Sequence, residues 1–211
     1  MPSDEQKHGA RRTSNIKRIF FLWIISLLMI VAPDSLRAFD LQRVEAPQAA
    51  AKLNDLIVFD ARPQKEWQQG HIPDAISFCW EDYTRTDATG VQWRIFPPEE
   101  LAKALGSLGV SHMDAVLVYG DGDTSWGGEG WMVWLLAWLG HQGPVYFLDG
   151  GIQSWRETKQ PVSSDAGRKR SSVEYQVNLQ PQVNITATQL AADPGQFTLI
   201  DTRKYLTEWL P

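Results

Sequence analysis

An α/β fold, with a mostly parallel sheet and helices on both faces, is what this 211-residue sequence predicts. Three observations lead there. Residues 56–60 (LIVFD), 115–119 (AVLVY) and 145–148 (VYFL) are short, continuous apolar runs, as in strands buried on both sides. Segments with helical start and stop signals lie between them. Strands that alternate with helices assemble in parallel, because a parallel neighbour is reached only by a crossover.

Each element has a local reason. Residues 75–78 follow a turn at Gly70 and Pro73 and read as a further strand. Pro97-Pro98-Glu99-Glu100 opens a helix, since prolines fit the first turn and acids suit its positive end. That helix runs to about Leu108 and stops at Gly109. Residues 127–139 carry Trp131, Val133, Trp134, Leu135, Leu136, Trp138 and Leu139, apolar nearly all round, and predict a covered core helix that Gly140 ends. Asp149-Gly150-Gly151 makes a turn, and 152–157 form a last short helix.

Composition narrows function. Lys and Arg total 20 against 25 Asp and Glu, a net charge of −5, which disfavours a nucleic-acid partner. One cysteine excludes an intrachain disulfide and a multi-thiolate zinc site. Arg11, Arg12, Lys17 and Arg18 precede an apolar run from Ile19 to Ala32, then Pro33 and the small residue Ala38. This is the layout of a secretory signal peptide over 1–38. The run is shorter than the roughly 20 residues a spanning helix needs. The expectation is export, to a periplasmic space, with an uncleaved anchor as the alternative and no other membrane contact.

The chain also repeats itself. Residues 46–62 align without gaps on 187–203, matching at Ala46/Ala187, Gln48/Gln189, Ala50/Ala191, Ala51/Ala192, Asp60/Asp201 and Arg62/Arg203. Between the copies, 163–184 are rich in Ser, Gln and basic residues and read as an extended linker, with Arg168-Lys169-Arg170 solvated. One complete unit over 39–162 and the first fragment of a second over 185–211 are therefore expected. A lone strand in that fragment cannot bury its faces.

Asp60-Ala61-Arg62, Glu66-Trp67 and Gly70-His71-Ile72-Pro73-Asp74-Ala75, followed by the 116–119 strand, Leu139-Gly140-His141 and Asp149-Gly150-Gly151 with Trp155, together resemble the rhodanese domain family. The two-copy layout is similar to tandem sulfurtransferases that use thiosulfate or 3-mercaptopyruvate. The resemblance implies a five-stranded parallel sheet, no cofactor and no metal. It also implies that a small sulfur-containing anion passes sulfane sulfur to a cysteine in the loop after the strand ending at Tyr119. Backbone N–H groups and a helix N-terminus in such a loop stabilise an anion and raise the thiolate fraction.

Here that place is Gly120. The loop Gly120-Asp121-Gly122-Asp123-Thr124-Ser125 has no sulfur, two carboxylates and Glu129 close behind, and 120–139 contain no basic residue. The complete unit therefore reads as non-catalytic, inactive alone. Carried forward from Asp201, the Asp60-to-Gly120 spacing puts the second unit's cysteine at about position 261, as loop lengths vary. On this reading the chain is a truncated tandem protein. A stand-alone, non-catalytic binding or regulatory module is the alternative, and catalysis through Cys79 a minor third idea.

The remaining candidates have structural readings. Cys79, the only thiol, follows the 75–78 strand and reads as inert. Asp60, Arg62, Gly70, His71, Asp149, Gly150, Gly151 and Trp155 read as a structural framework. His141 reads as a cation capping a helix end. Asp121-Gly-Asp123 is not a calcium loop, since Trp126 and Met132 stand where Gly and Glu are required.

Overall fold

The computed structural model describes residues 38–122 and 125–200. The signal-peptide expectation for 1–37, residues 201–211, and Asp123 and Thr124 lie outside them.

The chain runs β1 (Leu41–Val44), α1 (Ala46–Ala51), β2 (Ile57–Asp60), α2 (Gln64–Gln69), β3 (Ile76–Ser77), β4 (Thr84–Arg85), β5 (Arg94–Ile95), α3 (Pro98–Ser107), β6 (Val116–Tyr119), α4 (Gly128–Leu139), β7 (Val145–Leu148), α5 (Gly151–Glu157) and α6 (Ala187–Ala192). Five strands form a parallel sheet in the order β1-β7-β6-β2-β3, and β4 and β5 pair antiparallel outside it. Among these, β1 is a strand the sequence did not reveal.

Both faces of the sheet are covered, as its continuous apolar strands require. Ile57, Phe59, Val116 and Val118 pack with Leu101 and Leu105 of α3 and Met132, Leu135, Leu136 and Leu139 of α4. Val58, Leu117 and Tyr119 point the other way, to Ala46 and Ala49 of α1 and Ile152 and Trp155 of α5. Each buried Val, Leu, Ile, Phe or Met side chain contributes about 1.5–3 kcal/mol by leaving water. No residue of α4 beyond Gly130 is exposed, as its all-round apolar character demands.

The expected linker is extended but not free. Val173 N–H donates to Gly106 O (3.0 Å), Asn178 N–H to Leu139 O (2.9 Å), and Gln180 N–H to Trp138 O (2.9 Å). Tyr175 is buried within this strap. Close backbone approach explains two glycines: a Cβ on Gly106 would strike Val173 O, and one on Gly140 would strike Asn178 O. Arg168 makes an exposed 3.5 Å ion pair with Asp74.

Past the strap, α6 begins and ends 141 residues after α1, and the 3-10 turns Leu53–Asp55 and Pro194–Gln196 keep the same offset. In both copies a glutamine accepts from the N-cap N–H, Gln48 from Glu45 (3.4 Å) and Gln189 from Thr186 (2.8 Å). The likeness stops at the strand. Residues 197–200 form no strand, and Leu199 and Ile200 are 68% and 81% exposed where Val58 and Phe59 are 1% and 0%.

Candidate functional site

The C-terminal ends of β2 and β6 lie side by side, and the sheet order reverses direction between them, which is where open α/β sheets form a crevice. Asp60 and Tyr119 are paired in register there. Asp60 is fully buried and accepts from Arg62 Nε (2.9 Å), Arg62 Nη2 (2.6 Å), the Arg62 backbone N–H (3.0 Å) and the Tyr119 hydroxyl (2.5 Å). Arg62 also donates to Gly70 O (2.8 Å), and Ile72 N–H to the Tyr119 oxygen (3.1 Å). Burial, then the charge of Asp60, pushes the Tyr119 phenol well above its usual range, so it remains a donor. For Arg62 burial works against the charge, but Asp60 outweighs it and raises the guanidinium pKa. This network pins the α2–β3 turn to the floor of the crevice.

Further framework residues serve the same floor. His71 is fully buried, stacks on Trp67 at 4.4 Å and places Nδ1 2.8 Å from Trp67 O. Its backbone pairs with Ser163 in both directions. Trp155 Nε1 donates to Pro161 O (2.7 Å). Asp149 makes an exposed ion pair with Arg43 of β1. Gly150 and Gly151 take left-handed φ values of 66° and 54°, and Ile152 N–H donates to Gly120 O (2.9 Å). A Cβ on Gly151 would strike Gly120 O, so this turn seats the loop after β6.

That loop leads into α4 through Gly127, a left-handed N-cap with no side-chain cap. Ser125 is buried and ties the loop together: it accepts from Asp121 N–H (3.3 Å), its own N–H donates to Asp121 Oδ1 (3.2 Å), and its hydroxyl donates to Glu129 Oε2 (2.6 Å). A cleft of about 390 Å³ adjoins it, lined by Gly120, Asp121, Glu129, Phe147, Gly151 and Gln153 among others, none of them basic. Two carboxylates, Asp121 and Glu129, therefore face this cleft without a basic residue in its lining. Trp126, on the loop, holds a left-handed φ of 50° and is 82% exposed. Among the described residues no group of three His, Cys, Asp or Glu is placed to hold a metal, and no helix is long and apolar enough to cross a membrane.

Cys79 begins the 3-10 turn Trp80–Tyr83 and is buried. Its thiol donates to Glu81 Oε2 (2.6 Å), and burial, then this carboxylate, pushes it up to about 12. At neutral pH the group is held as the thiol, the unreactive form. His141 differs from expectation: Gly140 ends α4, and His141 is a buried, neutral bridge rather than a capping cation. Its Nε2 lies 2.9 Å from Asp114 O and its Nδ1 3.0 Å from the Tyr175 hydroxyl. Burial lowers it to about 4. The Tyr119 hydroxyl was the site group the sequence left unremarked; its signal is one polar tip at the end of an otherwise apolar strand.

Residues 42–158 match the model of the Rhodanese-like domain. A Pseudomonas aeruginosa protein named "Probable 3-mercaptopyruvate sulfurtransferase" is 32% identical over 177 residues, covering 77% of this chain and 61% of that one. The 3-mercaptopyruvate sulfurtransferase of Mus musculus is 32% identical over 149 residues, covering 68% and 48%. The chain thus spans about half to three-fifths of these relatives. The crystal structure of SseA from Escherichia coli, a 3-mercaptopyruvate sulfurtransferase, shares the fold with a TM-score of 0.63 at 21% identity, over 76% of this chain and 63% of that one. With more than half of the chain matched by that family's model, the chain belongs to the rhodanese-like sulfurtransferase family.

Proposed function

We propose that this chain is the non-catalytic unit of an exported, two-unit sulfurtransferase, whose second unit supplies the thiolate that takes sulfur from a small anion such as thiosulfate or 3-mercaptopyruvate. The observation that carries this reading is the loop after β6. At the place where sulfur chemistry of this kind needs a thiolate, the chain has Gly120, with the carboxylates of Asp121 and Glu129 lining the adjoining cleft. The one thiol, Cys79, is buried against a carboxylate. The repeated α1-and-turn geometry at α6 supports a second unit, as do the exposed Leu199 and Ile200, which stand where the first unit has core residues. The basic and apolar segments within 1–38 support export.

The test is cyanide-dependent thiocyanate formation by the purified chain with each donor. The expected rate equals that of the Cys79→Ser variant and of a protein-free control. Thiocyanate formation that Cys79→Ser abolishes overturns the reading. Continuation of the coding sequence with a cysteine at about position 261 tests the two-unit part.

A further inference from the structure

The conformation of Gly120 is not what excludes a side chain. Unlike Gly150 and Gly151, it does not occupy the left-handed region, so its backbone tolerates any residue. What stands in the way is polar and local. A Cβ built on Gly120 would strike Glu129 Oε2 and would lie 2.8 Å from Glu129 Cδ and 2.7 Å from Ser125 Oγ. These are tips of side chains, not backbone. Ser125 completes the arrangement, receiving the Asp121 N–H and donating to Glu129. A backbone donor of the loop is thereby connected through one hydroxyl to a carboxylate, the negative charge a loop at a helix N-terminus favours. The carboxylate belongs to the first turn of α4 itself.

We propose that Glu129 is a tethered anion that fills the sulfur seat beside Gly120, so that this unit is kept from accepting sulfur by an occupied seat and not by the missing thiol alone. The proposal rests on the non-catalytic reading above and adds to it a named residue that enforces it. Restoring a thiol would then require two changes. In Gly120→Cys the new thiol meets a carboxylate, which raises its pKa and lowers its thiolate fraction. Removing the charge at 129 takes the anion away from the new thiol, and shortening the side chain to alanine also empties the space beside it. The thiolate can then attack the outer sulfur of thiosulfate; the S–S bond of thiosulfate breaks, sulfite leaves with the electron pair, and the thiolate keeps one sulfur as a persulfide. No other oxidant or reductant is needed.

The experiment uses the full chain in a Cys79→Ser background and compares Gly120→Cys with Gly120→Cys/Glu129→Gln and Gly120→Cys/Glu129→Ala. Glutamine retains an oxygen for the Ser125 hydroxyl, so its variant preserves the loop if alanine unfolds it. Two quantities are read: the apparent pKa of the introduced thiol, from alkylation by uncharged iodoacetamide across pH, and the rate of sulfur gain from thiosulfate by intact mass. Loss of the charge is expected to lower the thiol pKa by about one unit or more and to speed loading at least about tenfold. An unchanged pKa overturns the proposal, and so do equal loading rates, including no loading in either. Cys79→Ser and the unaltered chain are assayed alongside. Sulfur gain or turnover by the unaltered chain sinks the non-catalytic reading instead, so the two failures are distinguishable.

Discussion

Tyr119 and Asp60, at the ends of adjacent strands β6 and β2, share a 2.5 Å hydrogen bond in which the phenol donates to a fully buried carboxylate. The same oxygen accepts the Ile72 N–H, and the same carboxylate holds Arg62. One hydroxyl thus joins two strands to the turn that bounds the crevice. The Asp60-x-Arg62 motif lies at its centre, buried, with both side chains hydrogen-bonded to the strand ends and the turn.

Tyr119→Phe leaves the Ile72 N–H without its acceptor and Asp60 with one donor fewer, its Arg62 donors remaining. The expected loss of stability is about 1–3 kcal/mol. Urea unfolding of the two proteins measures it, and an unchanged midpoint would contradict the network's structural role.

Arg62→Leu strands a buried negative charge and should cost about 3–5 kcal/mol, whereas Asp60→Asn/Arg62→Leu should cost less than Arg62→Leu alone. A double-mutant cycle in urea decides the matter. Additive losses would mean that the two residues do not act as a pair.

Acid should weaken the fold through His141. Burial holds its folded pKa at about 4, below the usual 6.5, so the neutral form is the folded one. Its contribution is complete above pH 6.5 and is lost as pH falls toward 4, up to about 3 kcal/mol. His141→Gln titrates nothing, so the stability difference between the two proteins should narrow or reverse over that window. A difference that stays constant from pH 7 to about 4 would refute the buried-neutral assignment.

Gly140→Ala places a methyl group against Asn178 O at a left-handed φ of 75°. The expected cost exceeds about 1 kcal/mol. The strap should also detach, so limited proteolysis within 171–183 should accelerate. Unchanged cleavage there would show that the strap is not held by this contact.

How much of this was legible beforehand depended on burial. The runs containing Phe59, Val118 and Phe147 announced β2, β6 and β7 because both sheet faces are covered, leaving no polar alternation to dilute the signal. Strand β1 (LQRV) stayed hidden because it is an edge strand with three exposed residues. Strands β4 and β5 are two residues each, too short for any period. The strap reads in sequence as an extended linker because Ser, Gln and basic residues recur in it without a period; Tyr175, a large aromatic among them, is the marker of its docking, and its anchor at His141 is 34 residues away in sequence. At the site, the missing sulfur at Gly120 was plain. That Glu129 occupies the space beside it depends on the helical turn that carries it back over the loop.

The claim that this unit cannot take up sulfur is tested most directly by intact-mass measurement of the unaltered chain after incubation with thiosulfate and with 3-mercaptopyruvate. The account predicts an unchanged mass with both donors. A gain of one sulfur atom, mapped to Cys79, would contradict it.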